Sequence, residues 1–192
     1  MTAAGSARTT PAIVVGLVVT LLCGYLAAAQ WVEPARTDAD DLRRSRLLPY
    51  TYPSLVLRHA VLPIAALVVA GGVGCGVLAA FGLPVGPAVV VLVSAPALVG
   101  AALVSANRGS VPQSLFIGAD TAMGNTAPIQ VVLWLVRAPL SVCGALGLAV
   151  FWLFRVAPEG VSHVVEPLAL LVAATAVALR WAQGRARKLY ET

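Results

Sequence analysis

Five long apolar runs, each close to the length of a membrane crossing, constrain this chain more than any other feature. They cover residues 11–31, 59–82, 84–106, 129–154 and 161–181. A helix needs about 20 residues to cross a hydrocarbon core of about 30 Å. Lipid holds no water to bond a bare N–H or C=O, so a crossing segment of this kind must be helical. The fold expected is therefore all-α, a polytopic transmembrane bundle of about five spans in a single membrane domain, residues 1–192. Composition agrees, with 59% hydrophobic residues, 11% charged residues and a mean hydropathy of +0.90. A soluble domain of this size would leave too much of that surface in water. Trp31, Trp152 and Trp181 fall near run ends, where aromatic belts sit. Only residues 81–86 join the second and third runs, which predicts a tight antiparallel hairpin.

The fourth run is ambiguous. Arg137 and Pro139 interrupt it, and proline removes a helical hydrogen bond and crowds the preceding turn. Either one helix kinked near Val136 crosses, or residues 129–137 lie along the interface before a shorter span. Arg137 is a possible pathway charge, as intramembrane charges often are, or an arginine snorkelling from a helix end.

The basic residues set the orientation. Arg36, Arg43, Arg44, Arg46 and Arg58 lie in or beside the first loop, and Arg180, Arg185, Arg187 and Lys188 lie at the C-terminus. Four spans separate the groups, so they share a side, and the positive-inside rule makes that side cytoplasmic. The expected protein is multi-pass in the plasma membrane, with its N-terminus outside and its C-terminus cytoplasmic. A cleavable signal peptide is the competing reading of the first run, through Arg8 and the small residues Ala27, Ala28 and Ala29. Cleavage would put both basic groups outside, which favours an uncleaved span. The net charge of +5 is read as loop bias and contact with membrane lipid headgroups, not as a nucleic-acid surface.

Catalytic and cofactor chemistry finds no support. The sequence lacks GxSxG, HExxH and the phosphate-binding GxxxxGK[ST]. Cys23, Cys75 and Cys143 all sit in apolar runs, where a free thiol behaves as a small apolar group. His163 and Glu166 could share a helix face, but a metal site wants more ligands than one such pair. Asp38, Asp40 and Asp41 form a single acidic cluster beside arginines, which reads as a helix start, with Asp38 or Asp40 as its cap. No metal and no cofactor are expected. Gly71, Gly72, Gly74 and Gly76 cluster in the second run, and Gly72 and Gly76 have the small-xxx-small spacing of closely packed helices.

The first loop, residues 33–58, carries the remaining signal. Leu42 to Leu48 reads as one or two amphipathic turns ended by Pro49, followed by Tyr50, Tyr52 and Pro53, then Ser54 to Arg58. A helix lying on anionic lipid is one reading, and a coupling helix docked on a soluble subunit is the other. The stretch RSRLLPYTYPSLVLRHAVLP resembles the cytoplasmic elbow of type-2 ATP-binding-cassette exporter permeases. GADTAMGNTAPIQ extends the resemblance to actinobacterial exporter membrane subunits of unknown function. The resemblance covers about 20 of the 192 residues and matches such permeases without their first span. It implies a membrane subunit of an ATP-driven exporter, with no enzyme activity of its own. A separate ATPase would meet Leu42, Arg43, Arg46, Leu47, Leu48, Tyr50 and Ser54, and further permease subunits would complete the machine. The loop from Asn107 to Pro128 is a second candidate contact. The alternative is a non-catalytic accessory or assembly subunit that braces a larger membrane complex.

Overall fold

The computed structural model describes residues 3–40, 51–83, 85–109, 111–117, 120–121, 124–156 and 165–191. In chain order the elements are α1 (Ala3–Trp31), α2 (Glu33–Asp40), α3 (Tyr52–Ala80), α4 (Gly86–Ala106) and the short α5 (Ser114–Ile117). They are followed by β1 (Asp120–Thr121), β2 (Gly124–Asn125), α6 (Ala127–Val156) and α7 (Val165–Glu191). The two strands make a single two-residue antiparallel pair. Helices α1, α3, α4, α6 and α7 are long and apolar enough to cross a membrane. The chain is a multi-pass helical membrane protein.

Helix α4 is the axis of the bundle. Its span is 61% buried, against 17–22% for the other four, and all four pack on it. Apolar side chains gain little by leaving lipid, so close backbone approach and van der Waals contact must hold such helices together. Small residues supply that approach on three sides of α4. Gly24 of α1 faces Leu98, Gly71 of α3 faces Leu92 and Ala88, and Gly100 of α4 itself faces Ala178 of α7. The outer faces carry large exposed apolar residues such as Leu62, Val73, Leu140 and Val172. Scattered around every flank, they form a lipid-facing coat rather than one local patch.

The α3–α4 hairpin forms as the short connection requires. Gly82 has φ +66, its N–H donates to the Ala79 carbonyl (3.1 Å), and the Leu83 N–H reaches back to Leu78 (2.8 Å). This pair of bonds is a Schellman stop, which needs a left-handed residue one position past the helix end.

The structure alters or resolves five sequence expectations. The intrachain close approach uses Gly71 and, in ordinary contact with Ala88, Gly74, while Gly72 and Gly76 face open space. On a 3.6-residue period only one edge of a glycine cluster can meet the neighbour, and the cluster alone does not say which. The first loop is shorter than residues 33–58, because Pro53 stands in the opening turn after the Thr51 cap and the second long helix starts at Tyr52. Proline is favoured there because it lacks only an N–H that would be unpaired anyway. The fourth run is one helix across Pro139, with the Ser141 hydroxyl bonded to the Arg137 carbonyl (2.7 Å). Asp38 is not a helix cap: it lies within α2, and its carboxylate meets His59 of α3 at 2.9 Å. The last helix also runs on through Tyr190, well past Trp181.

Candidate functional site at the polar end

Alternating helix directions gather the polar chemistry at one end. The C-terminal ends of α1, α4 and α7 meet the N-terminal ends of α3 and α6 there, and contacts tie them in sequence. The buried Tyr52 hydroxyl of α3 donates to Asn107 Oδ1 (2.9 Å), and Asn107 Nδ2 donates to the Leu103 carbonyl (2.9 Å). The Tyr52 ring stacks on Tyr190 of α7, with centroids 6.2 Å apart. Gly109, at φ +75, lies against Leu189. Tyr25 of α1 shares a hydrogen bond with Ser105 of α4 (3.0 Å), and Arg108 Nη2 donates to the same Ser105 oxygen (3.1 Å). The Arg108 guanidinium also lies 4.8 Å from the Trp134 ring centre on α6, a cation–π distance.

Below this end Ser94, Ser141 and Thr175 are used locally. Ser94 bonds the Val90 carbonyl, Ser141 the Arg137 carbonyl, and Thr175 the Leu171 carbonyl. Each is a bond to the helix's own preceding turn, which such side chains make when no other partner is offered. Among the described residues no buried side-chain N or O lacks a partner. The bundle centre therefore offers a solute no polar row to follow.

Two concavities lie among the described residues. The larger, about 880 Å³, is an apolar groove between α1 and α6 that includes Leu17, Leu21, Tyr25, Leu140, Cys143 and Phe151. It opens sideways because α1 and α6 both rest on α4 and touch each other less. The second is a shallow notch between α4, α6 and α7, where Arg108, Arg137 and Arg185 meet Trp134 and Trp181.

The residues singled out in the sequence distribute unevenly over this architecture. Leu42, Arg43, Arg46, Leu47, Leu48 and Tyr50 lie outside the described residues, as does His163. Their flanks, Asp40 and Thr51, bracket that segment at the polar end. Ser54 is described, and its hydroxyl donates to the Thr51 carbonyl (2.7 Å) at the start of α3. Arg137 sits in the basic notch. The roles of Tyr52 and Asn107 in joining α3 to α4 had no signal in spacing, since the partners are 55 positions apart. Among the described residues no group of His, Cys, Asp and Glu could hold a metal ion. No family model, curated protein or solved structure matches this chain.

Proposed function

We propose that this chain is a non-catalytic subunit of a larger plasma-membrane assembly, acting through its flanks and its polar end. The observation that carries the reading is the packed centre: α4 is the most buried span, the other four pack on it, and Ser94 and Thr175 are bonded within their own helices. A helix bundle with a closed, apolar axis does not conduct a polar solute alone. What it offers is lateral surface, with the apolar groove between α1 and α6 and the outward glycines Gly72 and Gly76 on α3. Small residues on a lipid-facing helix permit close approach by another helix.

The more specific reading is a permease subunit of an ATP-driven exporter, supported by the resemblance of the first loop. The meeting of the first loop's flanks, the segment after α4 and the end of α7 at one end favours a docking platform there. The transport path would then lie between this chain and a further permease subunit, and the polar end would be cytoplasmic. Leu42, Arg43, Arg46, Leu47, Leu48, Tyr50 and Ser54 remain the candidate ATPase contacts.

Affinity purification of the tagged chain from its native membrane in a mild detergent, with mass spectrometry of the eluate, separates the readings. A stoichiometric ATPase with a phosphate-binding loop, lost on Arg46→Glu while the bundle stays folded, supports the permease. Large membrane subunits without an ATPase support the accessory role. Recovery of this chain alone, across several mild detergents, contradicts both.

A further inference from the structure

Three arginines from three parts of the chain line the notch at the polar end. Arg108 follows α4, Arg137 is on α6 and Arg185 is on α7. No carboxylate lines the notch, and among the described residues none of the three forms an ion pair. Arginine stays charged at any ordinary pH, so the repulsion between Arg108 and Arg185 is not relieved by proton loss. Burial lowers the pKa of Arg108, and the charges of Arg185 and Arg36 push it the same way, against Tyr25.

The notch is shallow, about 10 Å³, so an anion would sit across its rim on the arginine side chains. Arg108 is held in place by Ser105 on one edge and by the Trp134 ring on its face, which leaves the rest of its N–H fork free. Guanidinium forks match phosphate oxygens in paired hydrogen bonds. Val104 and Ala138 are buried beneath them and make the floor apolar, which strengthens charged contacts above it. Trp134 and Trp181 mark the depth at which indole rings sit in a membrane, beside the headgroups. From there Leu133, Val136 and Leu140 lead along the exposed flank of α6, the direction acyl chains would take.

We propose that Arg108, Arg137 and Arg185 form a binding site for a phosphate group, carried by an anionic membrane lipid. Basic pockets between transmembrane helices on the cytoplasmic side are suited to such headgroups. The site depends only on the membrane bundle and stands whichever partner the assembly contains.

The test uses the full chain in nanodiscs of phosphatidylcholine alone, with phosphatidylglycerol added, or with inorganic phosphate in the buffer. Retained lipid is counted by native mass spectrometry, and the thermal midpoint is followed in parallel. Arg137→Gln and Arg185→Gln are each expected to weaken phosphatidylglycerol retention by about tenfold or more, the scale of a lost charge-assisted hydrogen bond. Arg180→Gln and Arg187→Gln, on α7 but outside the notch, are expected to change it by less than about twofold, as exposed charges do. Arg137→Lys keeps the charge but not the fork, and serves as the folded comparison if a Gln variant loses its helicity. Stabilisation by inorganic phosphate that vanishes in the same variants, without lipid retention, would keep the phosphate site and overturn its lipid source. Equal phosphatidylglycerol retention in the wild type and the notch variants would overturn the site itself.

Discussion

A Cβ placed on Gly100 would lie 2.9 Å from the Ala178 Cβ and 3.2 Å from its carbonyl carbon, with backbone unable to step aside. Gly100→Val should therefore force α4 and α7 apart, at a cost of about 1–3 kcal/mol for overpacking. Equilibrium unfolding in mixed micelles reads this directly. Gly72→Val and Gly76→Val, which point into open space, are expected to leave that midpoint nearly unchanged and to act only on association with another chain. Tyr52→Phe is the polar counterpart: it strips the buried Asn107 Oδ1 of its donor, an unmet acceptor costing about 1–3 kcal/mol. The same unfolding measurement should show it, with little change in helical content. These distinctions were only half legible in the sequence. Composition says that small residues will matter, but Gly71 differs from Gly72 only by the 100° step of a helix, and that phase is set by the partner.

At the scale of the element, most of the information was local. The five apolar runs became five long helices because length and hydropathy act within each run, with no help from the fold. Helix ends followed punctuation residues where those were read correctly. Gly82 stops α3 in a left-handed conformation that costs a residue with a Cβ about 1–2 kcal/mol. Gly82→Ala should lower stability by about that amount, and the loss should be additive with Gly100→Val because the two sites share no partner. An additive result is checked by unfolding the double variant. Pro53 and Pro139 carry opposite lessons. The first reads as a loop residue but opens a helix, and the second reads as a break but is spanned by α6, with Ser141 bonded one turn back to Arg137. A proline's effect depends on whether its missing N–H was needed, which the neighbouring turn decides.

For the whole molecule, the number of crossings was legible in the sequence but the concavities were not. The notch joins residues 108, 137 and 185, and the groove joins α1 to α6, separations no periodic pattern can encode. Both arise because four helices ring a fifth, so their outer edges diverge. The arrangement also fixes which loops share a side, and the proposed docking end depends on that side being cytoplasmic. Single cysteines in a background lacking Cys23, Cys75 and Cys143 test it with a membrane-impermeant maleimide on intact cells. Leu83→Cys, in the exposed α3–α4 turn, should label from outside, while Gln113→Cys and Arg187→Cys should label only after the membrane is opened. Labelling of Leu83→Cys and Arg187→Cys from the same side would contradict the crossing pattern on which the whole architecture rests.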